Sequence, residues 1–139
     1  MSKHQPIGTC AVLTNSKNEI LLGKRKNSYK AGFYGLPGGR IELNEKVTNA
    51  ISREVMEETG LTGLDFTFLG IVRENQDAYD FVHFVFQAEV HDQEVTLCEP
   101  GKCEGWEWFD PAHLQEVLPG HAAAVKLFFE GVQFIDLTK

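Results

Sequence analysis

The sequence lacks the features that define several classes of protein. No hydrophobic run approaches the roughly 20 residues that a helix needs to cross a bilayer, so we expect no membrane contact. The N-terminal residues MSKHQPIG lack the apolar core of a secretory signal peptide. The three cysteines are an odd number without metal-ligand spacing, which indicates a reducing setting and predicts a cytoplasmic protein. Repeats, low-complexity segments and linkers are also absent, so residues 1–139 are predicted to form a single domain.

Positive charge is scarce, except near the N-terminus. The chain has 13 Lys and Arg against 20 Asp and Glu, a formal net charge of −7. This balance argues against a nucleic-acid polymer as partner, since such partners are held through their phosphates. Residues 1–30, however, contain Glu19 as their only acidic residue against six basic ones: Lys3, Lys17, Lys24, Arg25, Lys26 and Lys30. A local basic patch on an acidic protein suits a small polyanion better than a duplex.

Residues 39–61 read GRIELNEKVTNAISREVMEETGL and contain the most informative pattern. Gly38 and Gly39 follow Pro37 and predict a tight turn. Asn44 is a plausible N-cap, and residues 45–59 contain no glycine or proline, so they are predicted to form a helix. Gly60 then supplies the C-terminal stop of that helix.

Three glutamates lie close together on the predicted helix. Glu54 and Glu58 are one turn apart on one face, and Glu57 lies beside them. Like charges at this spacing weaken a helix, whereas a hard divalent cation with oxygen ligands would make the same cluster favourable. The alternative is a solvated acidic face, which is what most Glu-rich helices present.

The whole pattern resembles the Nudix box, the signature of enzymes that hydrolyse a nucleoside diphosphate linked to another moiety. Seven residues fill its fixed positions: Gly39, Glu45, Arg53, Glu54, Glu57, Glu58 and Gly60. The resemblance implies that Mg²⁺ or Mn²⁺ is held by Glu54, Glu57, Glu58 and the backbone carbonyl of Gly39. It further implies that Glu54 or Glu57 acts as general base. The same resemblance implies that Arg53 pairs with Glu45; a mere surface pair with Glu57 is the alternative.

Outside the box, two arginines and two acidic residues are candidates for the same site. The resemblance implies that Arg25 contacts substrate phosphate, and Arg40 has a similar claim; the alternative is a solvated basic strand end. Glu104 is the candidate for an additional metal carboxylate, with Glu99 as its alternative, and either is otherwise a surface charge. The histidines form no ligand-like cluster, and we interpret them as ordinary. No Ser/His/Asp or Cys/His arrangement competes with metal-assisted attack of water.

Residues 99–109, EPGKCEGWEWF, resemble a segment of the MutT-type nucleoside triphosphate pyrophosphatases of that family. Trp106 and Trp108 alternate and therefore share one strand face. They are candidates for stacking on a base, but indoles more often belong to a core, and that is our prediction here.

Apolar patterns and turn residues predict a mixed α/β (α+β) order. Predicted strands cover 9–13, 19–25, 33–36, 64–72, 79–90 and 105–109, and predicted helices cover 45–59 and 122–132. This order suits the αβα sandwich that the resemblance implies, a mixed β-sheet flanked by helices.

The favoured function is Mg²⁺-dependent hydrolysis of a nucleoside triphosphate, such as an oxidised or pyrimidine deoxynucleotide, to a monophosphate and pyrophosphate. A Nudix enzyme for ADP-ribose, a nucleotide sugar or a dinucleoside polyphosphate is the alternative. A non-catalytic nucleotide-binding module is a third reading, although such modules usually lose box carboxylates and none is missing here. The resemblance also implies a homodimer. We assign the base preference to loops such as residues 73–80.

Overall fold

The computed structural model describes residues 4–28, 30–76, 79–114 and 116–138. Lys3 of the predicted basic cluster lies outside the described residues, and so do residues 77 and 78 of the predicted specificity loop. Over the described ranges, no helix has the length and apolar character needed to cross a membrane.

In the described part of the chain, eight strands form one mixed sheet. The strands are β1 (Ile7–Thr14), β2 (Ile20–Arg25), β3 (Tyr34–Gly35), β4 (Gly38–Arg40), β5 (Thr67–Gln76), β6 (Tyr79–Glu89), β7 (Cys103–Phe109) and β8 (Phe134–Asp136). Their order is β3-β2-β1-β6-β5-β8, with β4 paired to β1 and β7 paired to β2. The pairs β1/β6 and β5/β8 are parallel, and the other pairs are antiparallel.

The centre of the sheet is β1, whose residues from Gly8 to Thr14 are all buried. Successive side chains on a strand point to opposite faces. Cys10 and Val12 accordingly pack on one side of the sheet, whereas Ala11 and Leu13 pack on the other. The uninterrupted apolar run of β1 therefore reflects a strand that is covered on both faces.

Each face of the sheet is covered by one helix. Helix α2 (Pro119–Glu130) packs Ala124 and Leu127 into the cluster around Val12 and Val72. Helix α1 (Val47–Thr59) packs Ile51 and Val55 into the opposite cluster around Leu13 and Phe86. This arrangement confirms the predicted αβα sandwich with a mixed sheet.

The glycine pair is extended backbone and not the predicted tight turn. Gly38 and Gly39 belong to β4 and pair with Cys10 and Thr9 of β1. A Cβ atom on Gly38 would overlap the backbone of Thr9, so only glycine allows the two strands to approach this closely. The sequence pattern identified a close backbone approach correctly but assigned it to the wrong structure.

Helix α1 begins at Val47, two residues later than predicted, and Asn44 is not its N-cap. The N-cap is Lys46, which makes no side-chain capping bond. Glu42 and Glu45 form a turn just before the helix: the Glu45 amide donates to the Glu42 carbonyl and the Glu42 amide donates to the Glu45 carboxylate. This turn occupies the residues that a longer helix would need.

Other boundaries also shift. Strand β5 begins at Thr67 instead of residue 64 and extends to Gln76, so the described residues of the predicted 73–80 loop are the arms of the β5–β6 hairpin. Helix α2 begins three residues before the prediction because Pro119 is its first residue, a position that tolerates the missing N–H. Strand β8, with three residues at the sheet edge, was not predicted.

Replacing Gly60 with alanine tests the C-terminal stop of α1. Gly60 adopts φ 76°, a left-handed conformation, and a Cβ atom there would meet no heavy atom closer than 3.5 Å. The cost of Gly60→Ala is therefore conformational, and we expect the free energy of unfolding to fall by ~1–2 kcal/mol in urea denaturation. Gly105→Ala is the control, since the space around Gly105 is open and its φ is not left-handed. Equal stability of the two variants would contradict this account.

Candidate active site

The acidic face of α1 packs directly on the glycine strand β4. A Cβ atom on Gly39 would overlap the carboxylate of Glu54, so the missing side chain makes room for that carboxylate. One helical turn later, Glu58 Oε1 accepts a hydrogen bond of 2.7 Å from the Gly38 amide. Both contacts bring carboxylates against the backbone of β4; the Glu54 contact explains the glycine at position 39, and the close approach of Thr9 explains the one at position 38.

Glu58 is a half-buried carboxyl group without a cationic partner at contact distance among the described ion pairs. Burial raises the pKa of Glu58 to about 8; the hydrogen bond from Gly38 opposes this rise, and the charges of Glu54 and Glu99 add to it. Burial also raises the pKa of Glu54, although a hydrogen bond from Arg53 opposes the rise. Both shifts reflect the cost of placing charged carboxylates close together and partly out of solvent.

Arg53 holds the acidic residues in place. Its Nε and Nη2 atoms donate to the two carboxylate oxygens of Glu45, at 2.7 and 3.0 Å. Its Nη1 donates to Glu54 at 2.8 Å, whereas the contact with Glu57 is longer, at 3.4 Å. The hydrogen bond from Arg53 lowers the pKa of Glu45 to about 2. The predicted Arg53–Glu45 pair is thus present as a two-pronged contact, and the simple Arg53–Glu57 surface pair is not the main interaction.

A cavity of about 540 Å³ opens over these groups and is lined by side chains of both charges. Its acidic lining residues are Glu54, Glu58 and Glu99, its basic ones are Arg25, Lys26 and Lys102, and Lys102 lies 3.5 Å from Glu99. Gly39 and Arg40 line the same cavity. The structure therefore brings together five of the predicted site residues: Arg25, Gly39, Arg40, Glu54 and Glu58.

Two predicted site residues lie apart from this cavity. Glu57 does not line it, and its side chain is 45% exposed. Glu104 is exposed too, lies 4.0 Å from Lys24 and does not line the cavity. Of the two loop carboxylates considered from sequence, Glu99 is the one that faces the box.

The donor set suits a hard divalent cation, although the described residues contain no preformed group of three His, Cys, Asp or Glu side chains that could hold a metal ion. Glu54 and Glu58 offer carboxylate oxygens, the ligand type that Mg²⁺ and Mn²⁺ prefer. A cation between the two glutamates would favour the charged form of the half-buried Glu58 carboxyl, whose pKa is raised by burial. The carbonyl oxygen of Gly39 accepts a hydrogen bond of 3.3 Å from the Thr9 hydroxyl and so faces β1.

The two tryptophans of β7 pack against the α1 side of the core, which confirms the core prediction. Trp106 also lines the cavity and donates from Nε1 to the backbone carbonyl of Glu58, at 3.2 Å. This hydrogen bond connects β7 to the last turn of α1, at the residue that carries the Glu58 carboxyl group.

A second recess, of about 140 Å³, adjoins the first cavity and was not predicted. Its walls share Arg25 and Glu58 with that cavity and add Tyr79, Phe81 and two histidines, His83 and His121. His83 and the buried Glu74 are in contact at 3.3 Å. The alternation of Tyr79, Phe81 and His83 along β6 was a usable signal, because alternate residues share a face; His121 comes from the remote helix α2 and had no such signal.

Comparisons with known proteins agree with this architecture. A family model described as NUDIX domain matches residues 4–130. The crystal structure of a MutT NUDIX hydrolase from Burkholderia pseudomallei superposes with a TM-score of 0.83 at 30% identity, covering 90% of this chain and 98% of that one.

Two curated relatives carry different substrate names. A protein named ADP-ribose pyrophosphatase from Methanocaldococcus jannaschii is 33% identical over 111 residues, which is 78% of this chain. The match spans only 64% of that relative's own length. A protein named putative 8-oxo-dGTP diphosphatase from Bacillus subtilis is 26% identical over 132 residues, 94% of this chain and 85% of the relative.

The pKa of Glu58 predicts how stability depends on pH when no metal is added. A carboxyl group with a raised pKa in the folded state stabilises fully below its unfolded pKa, 4.5, and this contribution is lost as pH rises through about 8. In EDTA, we therefore expect the free energy of unfolding of the wild type to fall between pH 5 and pH 8.5, and this fall to be smaller in Glu58→Gln.

The measurement is urea unfolding followed by circular dichroism at several pH values. Glu57→Gln is the matched control, because its exposed side chain should leave the pH dependence as it is in the wild type. An identical pH dependence in wild type and Glu58→Gln would show that the pKa of Glu58 is not raised in the folded protein.

Proposed function

The chain belongs to the NUDIX domain family, since the family's model matches residues 4–130, and on that premise we propose that it is a metal-dependent nucleotide pyrophosphohydrolase. The proposed reaction is hydrolysis of a nucleoside triphosphate to a monophosphate and pyrophosphate. Residues 1–139 act in this proposal as one NUDIX domain.

The cleft lined by both acidic and basic side chains is the observation that carries this proposal. A polyphosphate with its divalent cation presents negative and positive groups side by side. Arg25 and Lys102 can bind phosphate oxygens through charge-assisted hydrogen bonds, while Glu54 and Glu58 face the cation. The acidic residues of the cleft would repel a phosphate chain without a cation, so this cleft favours the substrate together with its metal.

The proposed ligands of Mg²⁺ or Mn²⁺ are the carboxylates of Glu54 and Glu58. Glu57 and the carbonyl of Gly39 remain proposed ligands because the family motif implies them. Glu99 is proposed as the additional loop carboxylate, since it lines the same cavity. When bound, the ion lowers the pKa of a water molecule and neutralises phosphate charge. Arg53 keeps Glu54 oriented through its contact at 2.8 Å. Gly60 ends α1 just after Glu58, so the acidic turn occupies the helix terminus next to β4.

The chain's own chemical step is a proton transfer. Water attacks a phosphorus atom, the phosphoanhydride P–O bond breaks, and a box glutamate takes the proton of the water. Glu54 and Glu57 are the two candidates for this base. The position of Glu54 in the cavity supports Glu54, whereas the exposed Glu57 would need to turn toward the substrate.

ADP-ribose is the second candidate substrate. The name of the M. jannaschii relative favours it, whereas the name of the B. subtilis relative favours an oxidised nucleoside triphosphate. Both substrates contain a diphosphate that the cleft can bind, so the substrate preference depends on groups other than the phosphates.

A substrate panel with a paired substitution tests the proposal. The purified protein is incubated with Mg²⁺ and normal, oxidised, pyrimidine and sugar-linked nucleotides, and the products are identified by chromatography. We expect a monophosphate and pyrophosphate from one triphosphate class. Release of AMP and ribose phosphate from ADP-ribose alone would select the second candidate, and no Mg²⁺-dependent hydrolysis of any substrate would contradict the proposed function.

The same assay separates the two candidate bases. The base should lose ~10²-fold or more in kcat when changed to glutamine, and we expect that loss for Glu54→Gln and a smaller one for Glu57→Gln. Calorimetry with Mn²⁺ shows whether each variant still binds metal. Glu107→Gln, on the exposed side of β7, is the control for a neutral change of charge. Wild-type turnover in folded Glu54→Gln would exclude Glu54 as base.

We also propose that the protein is a cytoplasmic homodimer without a nucleic-acid polymer as partner. All three cysteines are free thiols, which suits a reducing compartment. For the dimer, support comes from an apolar strip on the α1 side of the sheet: pairing places Phe134, Ile71 and Phe84 side by side, and Phe68 contacts Phe84. Phe134 and Phe68 are 60% and 52% exposed, and a second copy of this strip would cover them.

Light scattering after gel filtration tests the dimer. Phe134→Ser should shift the wild-type mass from two chains toward one, because it removes the most exposed aromatic side chain of the strip. Phe129→Ser is the matched control, since Phe129 is 50% exposed on α2. A monomeric wild type, or equal shifts in both variants, would contradict a dimer through this face.

A further inference from the structure

We propose that His121 is a positioning residue for the catalytic cleft: its imidazole holds the Leu36 backbone, and through it the Gly38–Gly39 strand against which Glu54 and Glu58 pack. The inference rests on the proposed function for its kinetic consequences, but its structural part can be tested without any substrate. His121 lies on α2, on the opposite side of the sheet from the acidic helix α1.

The contact is a single buried hydrogen bond. The Leu36 amide donates to His121 Nδ1 at 2.8 Å. Strand β3 ends at Gly35, so the Leu36 amide lies beyond the strand pairing, and the imidazole supplies its acceptor. Gly35 permits the approach, because a Cβ atom there would lie only 3.0 Å from His121 Nδ1. An apolar side chain of the same size would fill the space but leave a buried amide unsatisfied.

Two backbone hydrogen bonds also join β3 to the residues just before α2. The Tyr34 amide donates to the Glu116 carbonyl at 2.7 Å, and the Leu118 amide donates to the Tyr34 carbonyl at 2.9 Å. Three consecutive links therefore attach residues 34–36 to residues 116–121. The link from His121 is the one nearest the glycine pair and the only one of the three made by a side chain.

The effect passes to the box through one residue. Pro37 connects Leu36 to Gly38, and its ring restricts φ, so the direction of the chain at Leu36 limits its direction at Gly38. The Pro37 carbonyl accepts from Ala11 at 3.0 Å, and the next amide, that of Gly38, donates to Glu58 at 2.7 Å. A shift of Leu36 would thus move the Gly38 amide, which orients the Glu58 carboxylate.

The imidazole is suited to act as a permanent acceptor. Burial, together with the nearby His83 and Arg25, lowers the pKa of His121 to about 3. The ring is therefore neutral under ordinary conditions, with Nδ1 available as acceptor and the proton on Nε2. A protonated ring would instead meet the Leu36 amide with a second donor.

Three substitutions separate positioning from simple packing. His121→Asn places a side-chain oxygen near the position of Nδ1, His121→Gln places its oxygen near the position of Nε2, and His121→Leu has no acceptor. We expect His121→Asn to keep most of the wild-type kcat and Mn²⁺ affinity. His121→Gln and His121→Leu should lose ~10–100-fold in one or both, the effect typical of residues that orient metal ligands.

Amide hydrogen exchange measured by NMR provides the readout that does not depend on activity. In His121→Leu and His121→Gln, the amides of Leu36 and Gly38 should exchange at least ~10-fold faster than in the wild type, because an unsupported hydrogen bond opens more often. In His121→Asn both should stay protected. His113→Leu is the control for loss of an imidazole, since His113 is exposed in the turn before α2.

The outcomes are distinct for the two proposals. If the wild type hydrolyses no nucleotide, the proposed function fails, whereas the exchange and Mn²⁺ arms still decide the role of His121. If Gly38 exchange and metal affinity are unchanged in folded His121→Leu, or if His121→Asn loses as much as His121→Leu, the positioning role is overturned. Should His121→Leu fail to fold, the Asn and Gln pair gives the same decision, because the two amides differ by one methylene group and therefore in where the oxygen lies.

Discussion

The contact between two carboxylates of α1 and the bare backbone of β4 is the constraint on which the rest of the site depends. Glu54 occupies the space that a side chain on Gly39 would fill, and Glu58 takes the Gly38 amide as donor. A side chain on Gly39 would displace the Glu54 carboxylate, and a side chain on Gly38 would overlap the Thr9 backbone. Because β4 also pairs with the buried centre of β1, the acidic groups are fixed relative to the core of the sheet.

This packing creates an electrostatic problem that the surrounding residues solve only in part. Arg53 pairs with Glu45 in a two-pronged contact and reaches Glu54, but Glu58 receives only a neutral amide. The remaining negative charge is held in a desolvated place, where a divalent cation would be strongly favoured. The same cavity is also lined by Arg25, Lys26 and Lys102, the type of side chain that binds phosphate. The same desolvation that destabilises the empty cluster thus makes it a candidate catalytic centre.

Several features were predictable because they depend on local sequence. The helical spacing placed Glu54 and Glu58 on one face, Gly60 marked the end of α1, and the alternating apolar residues of β6 marked a long strand. Boundaries were less predictable where another residue competed for the backbone. The Glu42–Glu45 turn shifts the start of α1 to a later residue. The glycine pair, predicted to form a turn, instead forms a strand because it pairs with Thr9 and Cys10 of β1.

The sequence by itself determined the family of the chain and the sandwich class of the fold, and it predicted the residues of the candidate site, because each follows from residues whose spacing is set by one helix or one strand. Only the tertiary structure decided which carboxylates share the cavity. Successive residues on a helix turn by about 100°, so Glu58 lines the cavity while the exposed Glu57 does not. Glu99 and Glu104 were separated only by the path of their loop. The role of His121 also depends on tertiary structure, since its partner Leu36 is 85 residues away in the chain. Contacts of that range depend on how the layers pack, which no local pattern records.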